Sequence, residues 1–145
     1  DLEQKELYDR VDDAVCAVRS ALEEGIIPGA GKALLEESAA LCIDEDKSPE
    51  YNAALMIMKG ALMAPFLQIL ENAGYKVSDV YPVGVAEGQG YNLKTREFGD
   101  LIKMGVIDPL KVTRSALQNA VSVAVTILST NAIITLARSY EVAQD

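Results

Sequence analysis

Gly25, Gly29 and Gly31 fall close together in the stretch Glu23-Glu24-Gly25-Ile26-Ile27-Pro28-Gly29-Ala30-Gly31-Lys32-Ala33-Leu34, between two helical patterns. Glycine accepts positive φ and has no Cβ, so the backbone can turn sharply here and another group can approach it closely. Two readings are open at this point. If Lys32 begins a helix, the free N–H groups and the positive dipole end suit an anion or a ribose–phosphate. The plainer reading is a helix C-cap followed by a connection.

Upstream of the turn, Leu7, Val11, Val15, Val18 and Leu22 recur at steps of three and four and lie in one narrow helical stripe. The pattern predicts a helix over residues 1–24 that packs along one side. Glu6 and Arg10 support it as an i,i+4 pair. Asp9, Asp13, Ser20 and Glu24 fall on the opposite side. There Asp13 is either a solvated acid or a carboxylate aimed at a ligand.

Half of the 145 residues are apolar, enough for one domain with a real core. A net charge of −9 without a basic run argues against nucleic acid or an anionic membrane as partner. No apolar run in the sequence approaches a membrane span, and the first residues lack the pattern of a signal peptide, so an intracellular protein is expected, in the cytoplasm or, in a eukaryote, an organelle matrix. The chain opens in mid-helix without Met, as a piece of something longer would. Cys16 and Cys42 sit inside apolar helical patterns and read as buried thiols. With no histidine, a zinc site or a His-based triad is excluded, and no metal ligand set is assigned.

After the turn, an Ala/Leu/Ser-rich helix is expected from Lys32 to about Cys42, then a polar loop at Asp44–Lys47. Ser48-Pro49-Glu50 marks a helix start. That helix should run to Met63, with Met56, Met58 and Met63 as core filler, and Pro65 should begin a separate short helix ending near Gly74. Val77 to Val85 has no helical repeat and reads as extended or turn structure. Gly88-Gln89-Gly90-Tyr91-Asn92 reads as a tight turn in a hairpin, followed by a short helix from Thr95 to Met104. Asp108-Pro109 reads as N-cap and first position of a helix to about Ser129, packed closely through Ala116, Ala120 and Ala124. Ala132–Ala137 would be a terminal strand in need of an edge.

Asp9-Arg10-Val11-Asp12-Asp13-Ala14, the glycine stretch Glu23–Gly31, Ala64-Pro65-Phe66-Leu67-Gln68-Ile69, Gly90-Tyr91-Asn92 and Gly105-Val106-Ile107-Asp108-Pro109-Leu110-Lys111-Val112-Thr113-Arg114-Ser115-Ala116-Leu117 stand in an order that resembles group I chaperonins of the GroEL type. The resemblance spans essentially the whole chain. It implies a mainly α segment with a small β hairpin and terminal strand: an intermediate-domain helix over 1–24, and the C-terminal half of the equatorial, ATP-binding domain over 25–145.

By that resemblance, Asp13 matches the aspartate that swings over the nucleotide and orients the water attacking the γ-phosphate. Ala30 and Gly31 match the turn against the ribose, Asn92 and Leu93 the adenine-side contacts, Val106 an apolar contact to the base, and Asp108 the acceptor of the ribose hydroxyls. The resemblance further implies ATP as cofactor, with Mg held mainly by the N-terminal half of the subunit, and sister subunits in a ring as partners. Unfolded proteins and a co-chaperonin would bind an apical domain that this segment lacks. The sequence departs from the family where Ala30 replaces glycine, where Leu93 and Lys94 replace small residues, and in being slightly shorter between Gly31 and Gly90. It also carries no glycine–threonine phosphate loop. The alternative function is a helical assembly or binding module derived from a chaperonin without ATP turnover.

Overall fold

Asn52 joins two segments that the sequence leaves loosely related. Its Oδ1 accepts from the Asp44 N–H at 3.2 Å, and its Nδ2 donates to the Asp44 carbonyl at 2.8 Å. The computed structural model describes residues 2–82, 85–132 and 134. It divides into two compact units, Asp1–Thr113 and Arg114–Asp145.

The first unit begins with α1 (Leu2–Glu24), β1 (Ile26–Pro28), α2 (Lys32–Ala40) and α3 (Pro49–Asn72). A single-turn helix α4 (Val77–Val80), strands β2 (Gln89–Asn92), β3 (Glu97–Asp100) and β4 (Ile107–Pro109), and the start of α5 (Leu110–Leu128) follow. β1 pairs antiparallel with β4, Ile27 opposite Asp108, and β2 pairs antiparallel with β3, Gly90 opposite Gly99. The expected mainly α fold and hairpin are both present. In the second unit the rest of α5 has no buried residue.

Local chemistry accounts for most boundaries. Ser48 accepts from the Tyr51 N–H and Pro49 fills the first turn, so α3 starts where a cap and a preset φ predict. Its end is a Schellman motif: Tyr75 N–H donates to the Leu70 carbonyl and Gly74 N–H to that of Glu71, with Gly74 at φ 77°.

Several expectations are corrected. α3 runs straight through Pro65, because Leu62, Phe66 and Leu70 bury one continuous face and outweigh the single backbone bond that proline removes. The uninterrupted helix is therefore long and apolar enough to cross a membrane by length and composition, contrary to the sequence reading. Residues 95–104 form no helix. Arg96 turns at φ 60° and β3 follows, while Gln89–Asn92, expected as the turn, is the strand before it. Val77–Val80 is helical, with Asp79 accepting from the Lys76 N–H. Cys16 and Cys42 are exposed, as is Met56, and Met58 and Met63 are only half-buried. The α1 stripe and Ala116, Ala120 and Ala124 likewise face outward, so neither packs as expected within its own unit. The expected terminal strand lies largely outside the described residues; Ala132 and Ile134 are not in a strand.

The core is small. Phe66, Leu70 and Val80 are buried together, with Leu35, Tyr75, Tyr81, Tyr91 and Leu93 packed against them. Phe66 meets Tyr81 edge-on at 5.0 Å between ring centres, a favoured aromatic geometry. Leu101, fully buried, holds the loop after β3 in place.

Candidate functional site

The glycine turn is built by backbone crowding. Ala30 has φ 56° and Gly31 φ 71°, both left-handed. A Cβ on Gly29 would stand 3.0–3.1 Å from backbone atoms of Val106 and Ile107, and Gly29 N–H donates to the Val106 carbonyl at 2.9 Å. Gly31 lies against α3 at Phe66. The turn thus brings Ala30, Gly31 and Val106 together between β1, β4 and α3.

Asp108 enters through the β1–β4 pair, opposite Ile27. It is a strand residue and not a helix N-cap, since α5 starts only at Leu110, whose N–H donates to the Gly25 carbonyl at 3.1 Å. The strand pairing takes the backbone that a cap would need. Among the described residues nothing hydrogen-bonds its half-buried carboxylate, and burial holds its pKa above the usual aspartate range. A carboxylate so placed can accept from paired hydroxyls.

Asp13, exposed on α1, lines an open cleft of about 400 Å³ with Ala14, Cys16, Ala17, Ser20, Pro109 and Val112. The structure therefore brings Asp13 onto the same cleft as Pro109, the neighbour of Asp108. Lys111 at the start of α5 is also ion-paired to Glu23 at the end of α1.

Asn92 and Leu93 lie elsewhere, at the end of β2. Asn92 Oδ1 accepts from the N–H groups of Lys94 at 3.0 Å and Thr95 at 3.3 Å, which closes the hairpin turn and leaves Nδ2 as the group that can face a ligand. Leu93 packs on the Phe66 cluster. Phe66, which lies against Gly31, belongs to the buried cluster on which Leu93 packs, while Asn92 does not line the Asp13 cleft.

Residues 1–138 match the model of the TCP-1/cpn60 chaperonin family. The chain belongs to that family. A solved group III chaperonin in the open state is similar to it at 32% identity and a TM-score of 0.70, over 79% of this chain and 25% of that one. This chaperonin chain thus spans a quarter of the length of that structure. Its fold is that of a helical chaperonin equatorial-domain segment.

Sequence reasoning overlooked Lys32, Glu36, Tyr81 and Gly88. Lys32 is buried and pairs with Glu36 at 3.3 Å, and Glu36 accepts from the Gly88 N–H at 2.7 Å. The available signal was a Lys/Glu i,i+4 pair at the start of an Ala- and Leu-rich helix.

Proposed function

We propose that this chain is the C-terminal portion of a group I-type, ATP-driven chaperonin subunit that assembles into rings and assists protein folding. Residues 1–24 would be the intermediate-domain helix and 25–145 the C-terminal half of the equatorial domain. The observation that carries this reading is the half-buried carboxylate of Asp108, without a hydrogen-bond partner among the described residues and held in register opposite Ile27, in the strand that leads into the glycine turn. It fits the ribose hydroxyls of a nucleotide. Ala30 and Gly31 would lie against the ribose, Val106 would offer apolar surface to the base, and Asn92 and Leu93 would approach its far edge.

Asp13 would orient the attacking water once α1 closes over the phosphates. Phosphoryl transfer depends mainly on positioning and charge stabilisation, so one aspartate can dominate the rate. Mg with the triphosphate supplies charge neutralisation, and its ligands would come mainly from the N-terminal part of the subunit. Unfolded proteins and a co-chaperonin would bind an apical domain outside this segment, in a cytoplasmic ring.

The test uses the full-length subunit. Asp13→Ala should leave nucleotide binding and ring assembly near wild type and cut turnover by about 100-fold or more, because it removes a group engaged mainly in the transition state. Asp108→Ala should weaken nucleotide affinity first. Equal loss of ATP binding in the two variants would refute the assignment of Asp13.

A further inference from the structure

We propose that Lys32 and Glu36 are positioning residues for the base side of the nucleotide site, an ion-paired strut that ties the glycine turn to both ends of β2. The inference rests on the nucleotide reading above.

Lys32 directly follows Gly31, and its side chain is only 6% exposed. Its Nζ lies 3.3 Å from Glu36 Oε1 and 5.7 Å from the centre of the Tyr81 ring. The same Glu36 oxygen accepts from the Gly88 N–H, one residue before β2. At the other end of the strand, the Tyr81 hydroxyl accepts from the Tyr91 N–H at 3.1 Å. Gly90 between them has no room for a side chain, since a Cβ there would stand 2.7 Å from that hydroxyl. β2 is thus held at Gly88 by Glu36 and at Tyr91 by a tyrosine that Lys32 covers. Asn92 and Leu93 are the next residues along.

Burying an ammonium costs more than a single pairing returns, and an apolar pair of similar volume would serve packing as well. A charged pair that also fixes a backbone N–H sets the position of a strand instead. The strut links the residue after the Ala30–Gly31 turn, where the ribose would lie, to the strand that leads into Asn92–Leu93, where the base would lie.

The experiment compares wild-type full-length protein with Glu36→Gln and with the double variant Lys32→Met/Glu36→Leu, which keeps an apolar filling without the charges. Amide hydrogen exchange over 87–92 is measured without nucleotide, and Kd is measured for ATP and for magnesium tripolyphosphate, which lacks base and ribose. In the double variant, exchange should quicken about tenfold and ATP Kd rise about tenfold, while tripolyphosphate Kd stays unchanged; Glu36→Gln keeps an acceptor for Gly88 but leaves the buried Lys32 ammonium without its counter-charge, and should move exchange and ATP Kd in the same direction. Unchanged exchange overturns the strut. Equal weakening of both ligands overturns the positioning role in favour of a general structural one. A wild type that binds ATP no better than tripolyphosphate, with exchange still quickened in the double variant, overturns the nucleotide reading and leaves the strut as a structural tie.

Discussion

A Cβ built on Gly31 would lie 2.8 Å from the backbone nitrogen of Phe66, so the glycine turn and α3 meet without space for a methyl group. Backbone cannot yield as a flexible side chain can. Because φ is also +71° there, Gly31→Ala should cost about 2–4 kcal/mol in urea unfolding, from a left-handed alanine plus overpacking. Gly25→Ala, at φ +91° with nothing within 4 Å, should cost only the backbone part, about 1–2 kcal/mol. Ala30→Gly should move the other way, gaining up to about 1 kcal/mol by relieving φ 56°. Equal losses at Gly31 and Gly25 would mean that the contact with Phe66 does not matter.

Pro65 stands exposed inside α3, one residue from buried Phe66. Proline lacks the N–H that would pair with the Ala61 carbonyl, and its ring crowds that carbonyl. Pro65→Ala should therefore raise stability by about 1–3 kcal/mol, seen as a higher Tm. A lower Tm would show that the site depends on a bend that proline provides.

The same residue marks how far the sequence could be read. Capping chemistry is local, so Ser48, Pro49 and Gly74 announced the ends of α3 correctly. The run through Pro65 depends on Phe66 and Leu70 joining a cluster with Leu35 and Tyr81, which are distant in sequence. The β3 strand was misread for the same reason: Glu97–Asp100 is extended because Gln89–Asn92 pairs with it. In the candidate site, the family resemblance named both the glycine turn and Asp108, and the β1–β4 pairing sets Asp108 opposite Ile27 in the strand that leads into that turn. The Lys32–Glu36–Gly88 connection was not, because it joins residues that only folding brings together.

Asp108 gives a pH dependence with a definite sign. Burial raises its folded pKa above the unfolded value, so its contribution to stability is fully present below about pH 4 and is lost as pH rises through the raised value. Asp108→Asn should thus be more stable than wild type near neutral pH, and the difference should close as pH falls toward 4. The same variant should bind nucleotide less well. Thermal unfolding across this pH range is the check, and an Asn variant less stable than wild type at pH 7 would contradict the burial account.

Leu7, Val18 and Leu22 are 64%, 61% and 83% exposed, so the apolar stripe of α1 is an open surface on this chain. A contiguous patch of this kind drives association unless something covers it. The 145-residue chain by itself should therefore self-associate with rising concentration, despite a net charge of −9. Val11→Lys with Val18→Lys places charges on the stripe and should shift the chain toward monomer. The two lysines bring the net charge from −9 to −9 + 2 = −7, which weakens repulsion, so a fall in association could not come from charge alone. Ser20→Lys, on the opposite side of α1, should leave association unchanged. Light scattering over a concentration series separates the outcomes: a chain monomeric throughout, or association that ignores the stripe variants, places the cohesive surface somewhere other than α1.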